Sequence, residues 1–369
     1  MSSWGERVKI SIFGESHGPA IGAVVEGLPA GETVDMDAVR VQMARRAPGR
    51  DLTSTPRKEP DEPKILSGML DGKTTGAPLA VLIENTNTKS GDYANLMHVP
   101  RPGHADYPAW VKYHGCNDVR GGGHFSGRLT APLVFAGAVC RQILLRRGIH
   151  IGAHVLRVGE IVDMPFQTEI RETLLDSLSC TYFPVISDDA KTAMLSKIES
   201  ARLDCDSVGG TVECAVTGVP AGLGGEGMFG GVESLFASIL FGIPACKGVQ
   251  FGAGFVAAQS RGSVNNDPYY YDENGVVRTR SNHAGGILGG ITTGMPIVFT
   301  AGFKPTPSIG KQQQSVDLQT HQNVPLTVKG RHDPCIVPRA VPVVEAAAAL
   351  ALMNLDGILE MEAGIHGTL

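Results

Sequence analysis

The sequence predicts an α+β fold in which strands and helices form one domain. Three observations predict it: strand patterns and amphipathic helix patterns share the chain, a strand–turn–helix plan occurs twice, and no polar linker divides the 369 residues. Length alone allows one large domain or two medium ones. Because no flexible segment separates the repeated parts, we expect a single fused domain spanning residues 1–369.

The first part of the chain alternates strands with helices. Residues 8–12 alternate apolar and polar side chains, as in a half-buried strand, and residues 20–25 form a second strand. Asp35 caps a predicted helix at 36–46, which a proline–glycine pair ends. Further along, we expect a polar loop at 50–63, a strand at 77–83 and a long apolar helix at 128–147.

The second part of the chain repeats this plan. Residues 20–31 and 211–222 are each a strand closed by glycine, an aliphatic residue, proline, alanine and glycine, and each leads to a helix. This echo predicts two halves, 8–200 and 205–365, related by a pseudo-twofold axis, with chance similarity of turn chemistry as the alternative. The other predicted helices cover 168–178, 188–203, 231–241 and 344–361.

Composition and charge exclude several classes of protein. The formal net charge of -5 disfavours nucleic acid and anionic membranes as partners. The seven cysteines form no C-x-x-C pair, which predicts a reducing cytoplasm. The first residues lack a signal-peptide pattern, and the longest apolar helices carry Arg141 and Glu345 and are expected to be too short to span a bilayer.

Two histidines in glycine-containing turns are candidates for proton transfer. His17 lies between Ser16 and Gly18 at the end of a strand. His104 follows a Pro-Gly kink, and Asp106 is placed to orient its ring. For each histidine the alternative is a hydrogen-bonded turn residue without a chemical role.

Clusters of cations are candidates for binding anions. Arg45, Arg46 and Arg50 surround the end of one helix, where the helix dipole and a bound ligand explain them equally well. Ser126 and Arg128 open the 128–147 helix, where an N-capping hydroxyl, free backbone N–H groups and a guanidinium together favour a phosphate.

Three further segments carry weaker signals. Residues 304–308 are stiff and suit an anionic ligand, and residues 331–334 place a cation, an imidazole and a carboxylate together; a surface turn is the alternative for both. The glycine-rich stretch 282–290 is no dinucleotide fingerprint, but its backbone can lie flat against another element or an aromatic cofactor ring. The sequence contains no metal-ligand spacing, nucleophile elbow or P-loop.

Six motifs, in order along the chain, resemble those of the chorismate synthase family. None is decisive alone, but the ordered set is specific and covers nearly the whole sequence. The motifs lie at 14–18, 57–61, 101–107, 218–223, 281–290 and 331–335.

The resemblance implies a lyase that converts 5-enolpyruvylshikimate 3-phosphate to chorismate, the last step of the shikimate pathway in aromatic amino acid biosynthesis. It implies a 1,4-anti elimination of phosphate that requires reduced FMN without net redox change. It also implies a β-α-β sandwich, with helices layered between antiparallel sheets, and a homotetramer. No added reductase domain is visible, which favours an external reductase over direct reduction of the flavin with NADPH.

The motifs also imply roles for individual residues. His17 resembles the acid near the leaving phosphate, His104 the histidine beside flavin N1, and Asp333 the carboxylate that works with flavin N5 in hydrogen removal. The arginines that match substrate or phosphate contacts are Arg46, Arg128 and Arg331. The implied flavin contacts are His124, Phe125, Ser126, Pro244, Ala245, Gly289, Lys304, Pro305, Thr306, Pro307, Ser308 and Arg331.

The chain departs from the family pattern at two places. His124 and Phe125 stand where many members have arginine and serine. Ala47 and Leu52 stand where many members have arginine, and Arg50 is the candidate to replace the missing cation.

Two other functions remain as alternatives at this point. A flavin-dependent oxidoreductase acting on a small phosphorylated acid would use the same glycine-rich cradle, and steady NAD(P)H consumption coupled to substrate reduction would favour it. A non-catalytic binder of phospho-ligands or nucleic acid would use the arginine clusters. A null result in a DNA or RNA shift assay would exclude nucleic acid.

Overall fold

Strands and helices are interspersed along the described part of the chain. The computed structural model describes residues 2–49, 59–87, 96–225, 228–328 and 332–361. The strands are β1 (Ser3–Trp4), β2 (Lys9–Gly14), β3 (Ala20–Glu26), β4 (Pro63–Ser67), β5 (Met69–Leu70), β6 (Lys73–Thr74), β7 (Leu79–Glu84), β8 (His150–Val158), β9 (Ile161–Val162), β10 (Gly210–Thr217), β11 (Cys246–Phe251), β12 (Tyr269–Tyr271), β13 (Val277–Thr279), β14 (Ile287–Leu288), β15 (Ile291–Thr292), β16 (Ile297–Phe303), β17 (Gln313–Asp317) and β18 (Gln322–Leu326). The helices are α1 (Met36–Arg46), α2 (Asp106–Lys112), α3 (Thr130–Leu145), α4 (Glu172–Leu178), α5 (Asp188–Leu203), α6 (Val232–Leu240), α7 (Gly262–Asn265) and α8 (Val337–Leu352).

Two antiparallel five-stranded sheets carry the architecture. The first has the order β1-β2-β3-β7-β4 and the second the order β11-β16-β10-β8-β9. Central strands such as β10 are buried along most of their length, because helices cover one face and the sheet neighbours satisfy the backbone. The remaining described strands form two-stranded hairpins at the edges of the molecule.

Helices fill the space between the two sheets. The long apolar helix α3 packs on β2, β3 and β7 of the first sheet, and α8 packs on β8 and β10 of the second. The two helices pack against each other, and α1 contacts both of them. Buried side chains from both sheets and these helices form one continuous hydrophobic core. The predicted β-α-β sandwich is therefore confirmed.

Four strands of each sheet share one topology, β2-β3-β7-β4 in the first and β8-β10-β16-β11 in the second. The series β2, β3, α1, β7, α3 builds the first sheet and its helix, and the series β8, β10, α6, β16, α8 builds the second in the same order. The matching turns 27–31 and 218–222 follow equivalent strands, β3 and β10. This parallel places the start of the second series at β8, near residue 150, whereas the sequence echo alone suggested a start near 205. The division into two halves of one domain stays a prediction.

Local sequence signals place most element ends correctly. Asp35 accepts hydrogen bonds from the backbone N–H groups of Asp37 and Ala38, so the predicted cap starts α1 at Met36. Helix α5 covers 188–203 as predicted. The last helix was predicted at 344–361 but lies at Val337–Leu352. A proline in its first turn is compatible with helix initiation, and the apolar residues beyond 352 continue as turns.

One helix in the described part of the chain is long and apolar enough to cross a membrane, running from Gly127 to Leu145. The sequence analysis expected the apolar helices to be too short to span a bilayer, and for this helix that expectation is wrong. However, 78 % of its apolar window is buried inside the protein, where α3 forms the centre of the helical layer. Such burial is typical of a core helix.

Candidate active site

A glycine turn between α2 and α3 brings two histidines together. Gly121 and Gly122 have φ angles of +60° and +84°, a backbone region that favours glycine. A Cβ added to Gly121 would lie 2.5 Å from Cδ2 of His17, and one added to Gly122 would lie 3.1 Å from Nε2 of His104. The absence of both Cβ atoms therefore lets two imidazoles, distant in sequence, pack against consecutive backbone residues.

The ring of His104 is held by a carboxylate and an arginine. Its Nδ1 lies 2.5 Å from Oδ1 of Asp106, and Arg101 donates from Nε and Nη2 to the two carboxylate oxygens of Asp106 at 2.7 and 2.8 Å. Burial raises the pKa of Asp106, but hydrogen bonds from Arg101 and His104 outweigh it and hold this pKa well below its usual range. Asp106 thus stays ionised and orients the imidazole, as the sequence indicated.

A second buried carboxylate lies between two arginines. Asp61 pairs with Nη1 of Arg128 through one oxygen and lies 2.7 Å from Nη2 of Arg46 through the other. Burial lowers the pKa of Arg46 to about 10, with Asp61 opposing the shift and Arg339 and Arg128 reinforcing it. Arg46 therefore stays charged at neutral pH. Two guanidiniums against one carboxylate leave a local excess of one positive charge, which suits an anionic ligand.

Arg339 of α8 forms a third ion pair, with Asp333, and also bonds to the end of α1. Nη1 of Arg339 donates to Oδ2 of Asp333 at 2.7 Å, and Nε of Arg339 donates to the backbone carbonyl of Arg46 at 2.9 Å. Arg339 lies in the first turns of α8, so it fixes Asp333 relative to the arginine cluster. Cys335 and Val337, just after this segment, are buried.

The two consecutive arginines of α1 have different partners. Arg45 does not face the ligand space; it pairs with Glu345 of α8 at 2.5 Å inside the helical layer. The cluster therefore has a structural explanation at Arg45, which Glu345 neutralises, and this arginine is not held for a ligand. Arg50, the candidate replacement cation, lies outside the described residues, as does Leu52.

These groups surround one cavity of about 920 Å³. His17, His104 and Asp333 all line it, although they belong to distant parts of the sequence. The predicted binding residues that also line it are Arg46, Arg128, His124, Phe125, Ser126, Pro244, Ala245, Lys304, Thr306, Pro307 and Ser308. The volume is near the upper end of the usual range for ligand sites, about 300–1,000 Å³.

Three predicted binding residues are not placed at the cavity wall. Pro305 is exposed and does not line the cavity of this chain. Gly289 lies in the turn between β14 and β15 and does not line it either; the adjacent Gly290 packs against Gly231 at the start of α6. Arg331, predicted to contact both ligands, lies outside the described residues.

Sequence reasoning missed several charged residues of the wall. Arg101, Lys247, Arg339 and Glu59 all line the cavity. Arg101 and Glu59 belong to motifs that were recognised without a role for them. Arg339 lies six residues after Asp333, on the helix that follows it, which is the signal that could have found it. Lys247 has no local signal, because only its strand pairing directs it to the cavity.

Comparisons with known proteins identify the relatives of this chain. The family model described as chorismate synthase matches residues 8–356. The chorismate synthase of Thermococcus kodakarensis is 48% identical over 350 residues, covering 95% of this chain and 96% of the relative. That of Dehalococcoides mccartyi strain 195 is 44% identical over 356 residues, covering 96% of each. A solved structure titled "Crystal Structure of Chorismate Synthase" has a TM-score of 0.72 and 28% identity, covering 95% of this chain and 92% of that chain.

The chain belongs to the chorismate synthase family. It is accordingly an enzyme, a carbon–oxygen lyase acting on phosphates in the shikimate pathway of aromatic biosynthesis. The cavity is lined by arginines and by two histidines that pack against one glycine turn. Such a lining suits a family that acts on a small phosphorylated acid.

Proposed function

We propose that this enzyme converts 5-enolpyruvylshikimate 3-phosphate to chorismate and phosphate by 1,4-anti elimination, with reduced FMN in the same cavity. The observation that supports the proposal best is the convergence of His17, His104 and Asp333 on one cationic cavity. The reaction needs a proton donor for the leaving phosphate, an acceptor for the proton from C6, and cations that hold a dianion. The cavity wall supplies each of these.

The donor set fits a flavin mononucleotide. An isoalloxazine ring needs flat apolar contacts and polar groups at its edge, and the wall offers Phe125, Pro244 and Ala245 together with His104. The buried hydroxyl oxygen of Thr306 has no hydrogen-bond partner among the described residues, so it is available to a ligand. When bound, reduced FMN supplies electron density to the substrate as the phosphate leaves.

Proton transfer is assigned to the chain's own side chains. His17 is only 8 % exposed and is held against the backbone of Gly121, so its imidazole has a fixed position from which to protonate the departing phosphate. Asp333, oriented by Arg339, accepts the proton that leaves C6. His104, oriented by Asp106, would lie beside the bound flavin and balance the negative charge of its reduced ring.

Positioning of the substrate is assigned to the arginine cluster. Arg46 and Arg128 share Asp61, so their guanidiniums hold fixed directions before any ligand arrives. A dianionic phosphate that replaces water at this point gains charge-assisted hydrogen bonds without a large cost in side-chain entropy.

The compartment, the oligomeric state and the source of the reduced flavin are part of the same proposal. We infer a cytoplasmic homotetramer whose FMN is reduced by an external reductase, with NADPH as the ultimate reductant. Supplying NADPH alone, without a reductase or a chemical reductant, tests this point: the proposal expects no turnover under those conditions. Turnover with NADPH alone would show that the chain reduces its own flavin.

The reaction is tested with purified enzyme and chemically reduced FMN under anaerobic conditions, with phosphate and chorismate measured together. His17→Ala is expected to lower kcat by about 10²–10⁴-fold, since that is the usual contribution of a positioned proton donor. His321→Ala, at an exposed turn of the β17–β18 hairpin, is the matched control and should leave kcat unchanged. Equal rates for the wild type and a correctly folded His17→Ala variant would remove His17 from the mechanism.

A further inference from the structure

The turn that carries His17 is held at both of its ends by one side-chain amide. Residues 15–18 lie in the connection between β2 and β3, where the backbone N–H of Gly18 donates to the carbonyl of Glu15 at 3.0 Å. Nδ2 of Asn85 donates to that same carbonyl at 3.0 Å and to the carbonyl of Gly18 at 2.8 Å. The first and last residues of the turn are therefore bound to one group, and His17 lies between them in sequence.

The other end of the same amide holds an arginine. Oδ1 of Asn85 accepts from Nε of Arg128 at 2.9 Å, and the carbonyl of the preceding residue, Glu84, accepts from Nη2 of Arg128 at 3.2 Å. A flipped amide would place an NH₂ group against a guanidinium, which can only donate, so these partners fix which end is the oxygen. Because Asp61 pairs with Nη1, each of the three nitrogens of Arg128 has a partner.

Strand pairing and a buried carboxylate fix the position of Asn85 itself. Asn85 directly follows β7, and its backbone N–H donates to the carbonyl of Pro19 at 3.1 Å, which continues the pairing of β7 with β3 by one step. On the other side, the carboxylate of Glu59 accepts from the backbone N–H groups of Thr86 and Asn87, each at 3.2 Å. Glu59 is buried. The backbone on both sides of Asn85 is thus held by hydrogen bonds, so the amide has a defined place.

Asn85 lies behind the cavity wall. His17 and Arg128 both line the cavity, whereas Asn85 does not. Its side chain is half-buried and bound to the turn on one side and to the guanidinium on the other. Any effect of this amide on a ligand in the cavity must therefore pass through the residues that it holds.

We propose that Asn85 is a positioning residue that fixes His17 relative to Arg128. The roles of these two residues, proton donor and phosphate contact, rest on the proposed function. A proton donor must lie within hydrogen-bond reach of the leaving oxygen, and a displacement of about 1 Å can cost about 10²-fold in rate. Because Arg128 holds the phosphate, an amide that joins this arginine to the turn keeps the acid at the leaving group.

The test compares Asn85→Ala with a matched control, Asn354→Ala. Asn85→Ala removes the three hydrogen bonds of the side-chain amide. The amide of Asn354 is also half-buried, donates to the carbonyls of Val8 and Leu350 at 2.9 Å each, and accepts from the backbone N–H groups of residues 6–8. It does not line the cavity, so its loss reports general destabilisation without displacement of His17. Melting temperatures show that both variants are folded.

The kinetic measurement asks whether Asn85 acts through His17. With chemically reduced FMN, kcat and KM are measured for the wild type, Asn85→Ala, His17→Ala and the double variant. Weaker phosphate binding through Arg128 changes KM, whereas kcat at saturating substrate reports the position of the acid. We expect Asn85→Ala to lower kcat about tenfold or more in the wild-type background. In the His17→Ala background the same change should lower kcat less than about twofold, because the group to be positioned is absent.

Three results would overturn the proposal. An equal loss of kcat in both backgrounds would show that Asn85 acts on a group other than His17. A wild-type kcat in Asn85→Ala would show that the amide has no part in positioning. A loss in Asn354→Ala as large as that in Asn85→Ala would assign the effect to general destabilisation.

Hydrogen exchange keeps this test apart from the proposed reaction. If the wild type forms no chorismate, the proposed function fails, yet the exchange of peptides that cover residues 14–20, read by mass spectrometry, still reports on the turn. Asn85→Ala should exchange faster in this segment than the wild type and Asn354→Ala, because both ends of the turn lose the amide that holds them. Identical exchange in the three proteins would refute positioning of the turn by Asn85, whatever the reaction proves to be.

Discussion

At the scale of single residues, the site requires two positions without a Cβ atom, Gly121 and Gly122. His17 and His104 come from different parts of the chain, yet both rest on the turn at Gly121 and Gly122. The same turn has positive φ angles, so glycine serves both the backbone conformation and the close approach of the rings. These two requirements can be separated by substitution.

Gly121→Ala is expected to reduce activity more than its effect on backbone conformation explains. The new Cβ would lie 2.5 Å from Cδ2 of His17 and 2.7 Å from Oγ of Ser16, so the imidazole must move. Gly72→Ala is the matched control, since Gly72 has φ of +73° and no atom within 4 Å of the added Cβ. Both variants should lose roughly 1–2 kcal/mol of stability from the left-handed backbone, measured by urea unfolding.

The kcat values of the two variants show whether a loss of activity comes from backbone strain or from displacement of His17. We expect kcat of Gly121→Ala to fall by at least tenfold, the equivalent of about 1.4 kcal/mol in transition-state energy, while Gly72→Ala retains wild-type kcat. A Gly121→Ala enzyme as active as Gly72→Ala would show that the position of His17 against the turn does not matter for the reaction.

At the scale of secondary-structure elements, a buried charge network ties loops to the second sheet. His154 of β8 lies between Asp163, at 3.0 Å from Nδ1, and Glu213 of β10, at 2.9 Å from Nε2. Asp163 also accepts from the backbone N–H groups of Ile186 and Ser187, and Glu213 accepts from that of Phe166. One imidazole thus joins two strands to the segments that lead into α4 and α5.

The charge state of His154 makes the stability of this region depend on pH. Burial lowers the pKa of His154, but hydrogen bonds to Asp163 and Glu213 outweigh burial and raise this pKa overall. Because the folded protein then holds a proton more tightly than the unfolded chain, the contribution is complete below the unfolded value of about 6.5. It decreases as pH rises from there through the folded-state pKa.

We therefore expect the free energy of unfolding to fall with rising pH above about 6.5, measured by urea titrations at several pH values. His154→Gln should abolish this slope and destabilise the protein by about 3–5 kcal/mol at pH 6, since two buried carboxylates lose their cation. His321→Gln removes an exposed imidazole and should leave the slope as in the wild type. A slope that persists in His154→Gln would assign the pH dependence to other groups.

At the scale of the whole molecule, sequence analysis predicted the features that residues close together in the chain determine, such as helix caps and turns. The cap at Asp35, the cap at Ser126 on the short 3₁₀ turn before α3, and the turn chemistry shared by 27–31 and 218–222 all act within a few positions, so local pattern was sufficient. The family motifs then indicated which residues converge. His17, His104 and Asp333 line one cavity because the sandwich brings them together, which no local pattern contains.

The errors of sequence reasoning have the same origin. Arg45 and Arg46 are adjacent and chemically identical, yet one is neutralised by Glu345, 300 positions away, and the other by Asp61. Lys247 reaches the cavity through a bulge, which only the register with β16 reveals. The last helix begins seven residues earlier than predicted, at 337 instead of 344, because packing on β8 and β10 extends it across Pro342. Each case depends on a partner that is remote in sequence.

The sandwich as a whole depends on how closely its two central helices approach. Gly137 of α3 faces Ala346 of α8, and a Cβ at Gly137 would lie 2.2 Å from Cβ and 2.3 Å from Cα of Ala346. Since one of these atoms belongs to the backbone, no rotamer change relieves the contact; the helices must separate, and each carries one sheet with it. Small residues at this crossing therefore set the spacing between the two sheets.

Gly137→Ala is accordingly expected to destabilise the protein by about 1–3 kcal/mol, the usual cost of an overpacked core, although alanine is the better helix former by about 1 kcal/mol. Gly262→Ala, where the added Cβ meets no atom within 4 Å, is the control and should not lower the melting temperature. Because separation of the helices also shifts α8, which carries Arg339, the Gly137→Ala enzyme should lose activity as well as stability. If thermal unfolding shows Gly137→Ala to be as stable as Gly262→Ala, the helical layer is not packed at the limit that this contact implies.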